Sequence, residues 1–167
     1  MLYKEVRVYM NRFIDNIDRS ILDCLREDAR MKSTKIAERL GNMTPRAIRN
    51  RLDRLRDEGI IAITAAAVPE KLGFPISADI YVDVELGHIE QVAKDLRELD
   101  EIFYVALTTG DTDISTSVVA ESMGSLQDFI TNRLHTIPGV IRTKTYVLTK
   151  ILKQSCDWPF PKELPRD

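Results

Sequence analysis

Between residues 44 and 56 the chain places Arg46, Arg49, Arg51, Arg54 and Arg56 around Asn50, so most polar positions of the segment carry hydrogen-bond donors. Guanidinium forks pair with phosphate oxygens and with the acceptor edge of guanine, and a carboxamide pairs with adenine. The chemistry on offer is recognition of a polyanion, with no bond made or broken. A second polar group is Thr108-Thr109-Gly110-Asp111-Thr112-Asp113. Gly110 permits close backbone approach, Asp111 or Asp113 can hold an ammonium, and nearby N–H groups can hold a carboxylate. A polar hairpin turn has the same composition for purely conformational reasons, and on the residues alone that is the favoured reading.

Helices must present the arginines. Ile17, Ile21, Cys24 and Leu25 recur at the spacing of one helix face. Ser33 is expected to cap a second helix with an inward face of Ile36, Ala37 and Leu40, ended by Gly41. Thr44 offers a cap oxygen and Pro45 the first position of a third helix, whose stripe is Ile48, Leu52 and Leu55 and whose end is Gly59. Short helices around a glycine-bearing turn define a helix-turn-helix, expected here in a winged-helix-like form. In that arrangement Thr44, Arg46, Ala47 and Asn50 face base edges, Lys35, Arg51 and Arg54 lie near phosphates, and Ser33, Pro45 and Arg49 complete the expected DNA-binding set. A solvated basic helix in a bundle, paired with Asp53, Asp57 and Glu58, is the competing reading.

The net charge of -2 hides an asymmetry: residues 1–58 carry 14 Lys/Arg against 10 Asp/Glu, and the remainder carries 10 against 16. Only the front approaches a polyanion on this count. Residues 60–68, rich in β-branched types, read as a strand leading to a hinge at Gly73-Phe74-Pro75. Ile76, Ala78, Ile80, Val82, Val84 and Leu86 then alternate with polar residues as a second strand. Ile89, Val92, Leu96 and Leu99 mark a helix; residues 102–108 and 114–120 form a hairpin; Ser122 caps a helix bearing Met123, Leu126, Ile130 and Leu134; Val140 to about Lys150 is a last strand. The order βαββαβ predicts a ferredoxin-like antiparallel sheet with both helices on one side. The fold class is therefore α+β. Apolar residues on both sides of 102–107 imply that the open face needs a partner, a second copy being the natural one.

The partition expected is an N-terminal extension over 1–14, a DNA-binding domain over 15–60, a linker strand and hinge over 61–75, an effector and oligomerisation domain over 76–152, and a tail over 153–167. Leu2, Val6, Met10 and Phe13 could form a further helix, and Trp158-Pro159-Phe160-Pro161 could cover an apolar patch. Cys24 reads as core, and Cys156 has no second cysteine near it. No run is long and apolar enough to span a bilayer and the first residues lack a secretory pattern, so a cytoplasmic location is expected, with no membrane partner. Nucleophilic triads, phosphate-cradling loops and clustered metal ligands are missing from the pattern; only Asp111 and Asp113 could weakly hold a divalent ion. No catalysis, cofactor or metal is expected.

These motifs together, IDRSILDCLREDAR, IAERLG, TPRAIRNRLDRLRDEGII, TTGDTD and IPGVIRTKTYVLT, resemble the Lrp/AsnC (leucine-responsive regulatory protein, or feast/famine) family over about residues 15–150. The resemblance implies a transcription regulator that binds double-stranded DNA as a homodimer, assembling further to a tetramer or octamer of dimers. It also implies an amino acid or related metabolite as effector, its amino and carboxylate groups met by Thr108, Thr109, Gly110, Asp111 and Asp113, with Thr143 and Thr145 helping to choose its side chain. Some proteins of this architecture resemble siroheme decarboxylases, which bind a tetrapyrrole and keep a vestigial helix-turn-helix. His88 and His135 are the histidines such an enzyme would have here. A metabolite-sensing module without DNA function is the third reading.

Overall fold

A computed structural model of the chain describes residues 14–153. The readings of Leu2, Val6, Met10, Phe13, Cys156 and the Trp158–Pro161 segment lie outside the described residues. The chain divides into two compact units, the first including residues up to Ala65 and the second spanning Ala66–Gln154.

The first unit holds α1 (Asn16–Glu27), α2 (Ser33–Leu40) and α3 (Pro45–Asp57). Asp15 starts α1 through a reciprocal capping box with Asp18. Gly41 ends α2 in the left-handed conformation at φ 72°, which lets the chain reverse before α3. Thr44 Oγ1 accepts from the Ala47 N–H at 3.2 Å, and Pro45 follows in the first turn. Ile21, Cys24, Met31, Ile36, Ala37 and Ile48 form the buried core, with Ile17, Leu25, Leu40, Met43 and Leu52 packed around it. Lys32, and not Ser33, is the residue before α2, and no side chain caps that helix. The serine lies one position too far along for its hydroxyl to reach the free N–H groups. Among the described residues this unit contains helices only, so no β-hairpin wing accompanies them.

Residues 61–68 form no strand. Their β-branched side chains suit a pleat, yet among the described residues no strand pairs with them, and an unpaired extended segment has no ladder to join. Residues 62–68 are exposed and lead into a short 3-10 turn, Pro69–Leu72.

The second unit contains β1 (Ile76–Val84), α4 (Ile89–Arg97), β2 (Ile102–Leu107), β3 (Ile114–Ala120), α5 (Met123–Phe129, continued by a π-helical turn, Ile130–Leu134) and β4 (Val140–Val147). The strands make one antiparallel sheet in the order β2-β3-β1-β4. Ala78, Ile80, Val82 and Val84 of β1 and Ile114, Val118 and Ala120 of β3 bury against Val92 and Leu96 of α4 and Leu126, Phe129, Ile130 and Leu134 from α5 onward. Burial alternates residue by residue along β1 and β3, as the period of a half-covered strand requires. Thr116, buried in the same core, satisfies its hydroxyl on the Ile80 carbonyl at 3.1 Å.

Leu86 continues the alternation in sequence but lies beyond β1 and is 94% exposed. A register shift between Ile102 and Tyr104 turns β2 so that Val105 pairs with core Thr116, while Tyr104 and Ala106 lie across from Ser117 and Ser115. That bulge interrupts the two-residue period of β2. On the side away from the helices Tyr81 meets Tyr146 edge-to-face at 5.6 Å, and Tyr104 and Tyr146 remain largely open to solvent.

Candidate functional site

One turn of helix advances 3.6 residues, so Arg46, Arg49, Asn50 and Asp53 of α3 share a face opposite the buried Ile48 and Leu55. All four face solvent. Arg46, Arg49 and Asn50 form no ion pair or side-chain hydrogen bond with another described residue, whereas Asp53 pairs with Arg56 at 2.9 Å. The donors thus gather on the first half of the helix, where the Thr44 cap and Pro45 fix the backbone. Ala47 sits beside them, half-buried. Ser33 and Lys35 occupy the first turn of α2.

Arg51 and Arg54, expected at phosphates, are drawn elsewhere. Both reach back to the start of α1, where the Asp18 carboxylate is 1% exposed. Arg51 meets Asp18 Oδ1 at 2.8 Å and Asp15 Oδ2 at 2.6 Å; Arg54 meets Asp18 Oδ2 at 2.5 Å and approaches Glu58 at 3.8 Å. The Asp15 N–H also donates to Asp18 Oδ2, so both oxygens of the buried acid are satisfied. The hydrogen bonds they donate to Asp18 hold both guanidiniums further above their ordinary range. Burial pushes the Asp15 carboxyl up, but its hydrogen bond from the Asp18 N–H and the Arg51 charge together hold it below the usual carboxylate value. A second pair, Arg39 with Glu27 on both oxygens, ties α2 to the end of α1 and holds Glu27 low.

Sequence reasoning missed Asp18. A signal was present: Asp18, Leu22 and Leu25 stand at i, i+4 and i+7, as good a stripe as the one beginning at Ile17. An acid inside an apolar stripe demands a basic partner.

In the second unit the loop joining β2 and β3 is fastened at its base. The Thr108 N–H donates to the Asp113 carbonyl at 2.9 Å, Thr108 Oγ1 donates to the Thr112 carbonyl at 2.5 Å, and the Val84 N–H donates to Asp113 Oδ2 at 2.8 Å. Thr109, Gly110 and Asp111 project from that base into solvent. Gly110 has φ 138°, a conformation that a side chain would strain. Thr143 lies across from Val82 on β4 and Thr145 across from Ile80, so β1 separates both from the loop. Thr143 is nearest to it because Val82 also accepts from the Asp113 N–H. The two groups occupy one end of the sheet and do not close on a common cavity.

Thr143 Oγ1 is instead 2.8 Å from His135 Nε2, in a shallow pocket of about 380 Å³ lined also by Val140, Ile141 and Arg142. His88 precedes α4 and packs against Gly139, where an added Cβ would lie 2.7 Å from the His88 Cβ. The two histidines stand in separate packing roles at the ends of helical segments.

A capped, arginine-bearing third helix in one unit and a ferredoxin-like sheet in the other define a helix-turn-helix transcription regulator with a ligand-binding domain. The AsnC-type helix-turn-helix domain matches residues 14–56, and the Lrp/AsnC ligand binding domain matches residues 77–158. The chain belongs to the Lrp/AsnC family. It is 36% identical to an uncharacterized HTH-type transcriptional regulator of Pyrococcus horikoshii, over 84% of this chain and 89% of that protein. It is 32% identical to the HTH-type transcriptional regulator FL11 of Pyrococcus furiosus, over 90% of this chain and 99% of that one. The structure of AsnC from E. coli superposes with a TM-score of 0.81 at 27% identity, covering 86% of this chain and 97% of that one. A transcriptional regulator of Neisseria meningitidis in complex with L-Met gives 0.80 at 25% identity, covering 88% and 97%.

Proposed function

We propose that this regulator reads a DNA major groove with Thr44, Arg46, Ala47, Arg49 and Asn50, and that Ser33, Lys35 and Pro45 approach the flanking phosphates. The observation that carries this reading is the free, exposed donor set Arg46, Arg49 and Asn50 on the N-terminal half of a helix whose opposite face is buried. A recognition helix enters the groove by that end, and acids nearer its far end, Asp53 and Asp57, stay clear of the phosphates. The working partition is a DNA-binding domain over 15–60, a linker over 61–75 and an effector and oligomerisation domain over 76–152, between terminal segments 1–14 and 153–167.

The effector is an amino acid or related small metabolite, held by the Thr108–Asp113 loop with Thr143 and Thr145. The relative in complex with L-Met supports the class of ligand, and the unengaged Thr109, Gly110 and Asp111 supply the groups it needs. The protein acts without catalysis and without a cofactor, in the cytoplasm where its DNA is. Among the described residues no helix is long and apolar enough to cross a membrane. Its homodimer forms through the open sheet face carrying Tyr104 and Tyr146, and further assembly to a tetramer or octamer of dimers responds to the effector. A coupling of about 1–3 kcal/mol between effector and DNA changes affinity about 5- to 150-fold.

The test is binding to the chain's own upstream DNA and to random DNA across salt concentrations, with and without amino acids. Preference for the upstream DNA that one amino acid alters, and that Arg46→Ala relaxes at one base pair, is the expected result. Equal affinity for every DNA at every salt concentration would end the reading.

A further inference from the structure

Arg51 and Arg54 lie on the flank of α3 between its buried stripe and its free donor face, about 140° and 80° around the helix from Arg46. Arginines so placed beside a recognition face ordinarily add phosphate contacts, which strengthen binding to any DNA without favouring a sequence. Here both converge on one carboxylate that is itself withdrawn from water, 33 and 36 residues earlier in the chain. Asp18 receives the two guanidiniums on different oxygens, so the acid spans successive turns of α3 and fixes the rotation of the helix about its axis. Resting on the DNA-binding reading above, we infer that Asp18 is a specificity-determining positioning residue: it withholds Arg51 and Arg54 from phosphates and leaves discrimination to Arg46, Arg49 and Asn50.

The physical reasoning turns on competition. A phosphate offers a guanidinium much the same acceptor geometry as a carboxylate does, but it must compete with an acid already desolvated and already engaged. Removing a hydrogen bond from a buried carboxylate is costly because water does not replace it. The two arginines therefore stay with Asp18 when DNA arrives. Asp15 reinforces the arrangement by taking a second hydrogen bond from Arg51 at 2.6 Å. Arg46 and Arg49 have no such alternative and are spent on DNA alone.

The experiment measures affinity for a short random-sequence duplex and for the upstream DNA over a range of salt, using the full chain. The variants are Asp18→Asn and the triple change Asp18→Asn/Arg51→Gln/Arg54→Gln, with circular dichroism to follow folding. Each phosphate contact contributes about 0.9 to the slope of log affinity against log salt. Asp18→Asn frees the arginines, so its slope on random DNA steepens by up to about 1.8, and its preference for the upstream DNA falls. The triple variant leaves no buried charge unpaired and keeps the wild-type slope. Should Asp18→Asn fail to fold, the triple variant decides by itself: a slope shallower by about 1.8 means that the arginines touch phosphates in the wild type and overturns the inference. An Asp18→Asn protein that folds and keeps the wild-type slope overturns it too. Wild-type protein that binds neither DNA sinks the DNA-binding reading and this inference with it, an outcome distinct from the other two.

Discussion

The third helix and the β2–β3 loop divide their polar groups in the same way, some holding the element in place and some left free, but with unlike results. In α3, Arg51 and Arg54 hold, and Arg46, Arg49 and Asn50 are free on a rigid helical face one chain can complete. In the loop, Thr108 and Asp113 hold, while Thr109, Gly110 and Asp111 are consecutive residues at an exposed tip. A groove of DNA brings its own walls to a convex helix. An amino acid brings none, and a binding site for one must bury most of its surface. On the proposed reading, the nucleic-acid interface is therefore complete within one chain, whereas the effector site needs further walls.

The largest effect that tests this contrast is on the preformed helix. Ile48 is fully buried beneath the donor face. Ile48→Ala removes its packing in the buried cluster that also holds Ile21 and Ile36 and is expected to cost about 3 kcal/mol. Urea unfolding checks the loss, and DNA affinity should fall with it while amino-acid binding persists. Retained DNA affinity at full destabilisation would mean that the helix need not be preformed, and the contrast would fail.

The loop's holding group ranks next. Asp113→Ala strips the Val84 N–H of its acceptor in a central strand, which costs about 1–3 kcal/mol where water cannot replace it. A thermal scan and hydrogen exchange at Val84 check it. An unchanged midpoint would move Asp113 from the holding group to the free one.

Acid separates the holding groups of the front unit from its free ones. Burial raises the Asp15 carboxyl, yet hydrogen bonds from Asp18 and Arg51 prevail and lower it; the Arg39 hydrogen bonds lower Glu27. Both folded values lie below the unfolded ones of about 4, so the stabilisation is present above that range and is lost as pH falls through the folded values. The unfolding midpoint should drop between about pH 5 and pH 2, and Asp15→Asn with Glu27→Gln should flatten that drop. A profile identical in the double variant would show that these pairs, half open to solvent and screened, contribute nothing.

Much of this was legible in sequence where the determinants are local. Gly41, Thr44 and Pro45 name the turn before α3 because a left-handed cap, a hydroxyl acceptor and a preset φ each act within a few residues. Strand β1 declared itself by alternation, since one face is covered by helices and the other is open. Legibility ended where a partner distant in sequence decides. Residues 61–68 have strand composition and no strand beside them among the described residues, and the bulge at Phe103 is set by pairing with β3. Arg51 and Arg54 look identical in type to Arg46 and Arg49 until Asp18 is known to be buried against them. The same limit applies to the loop: composition marks Thr108–Asp113, but which groups hold and which are free depends on Val84, far away in the chain.

The smallest expected change in stability is the sharpest test of the loop. Asp111 is exposed and bonded to no other described residue, so Asp111→Ala should leave the unfolding midpoint within about 0.5 kcal/mol of wild type. If the carboxylate holds an effector's ammonium, its loss removes a charge-assisted bond of about 1.5–3 kcal/mol, and affinity for the amino acid falls about 10- to 150-fold. Calorimetric titration beside a thermal scan reads both quantities on one preparation. A lost midpoint with unchanged affinity would make Asp111 a holding residue and return the loop to a polar hairpin. An unchanged midpoint with lost affinity makes it the reading group, and the shortfall in walls around it then requires the effector to be enclosed by residues from beyond this loop.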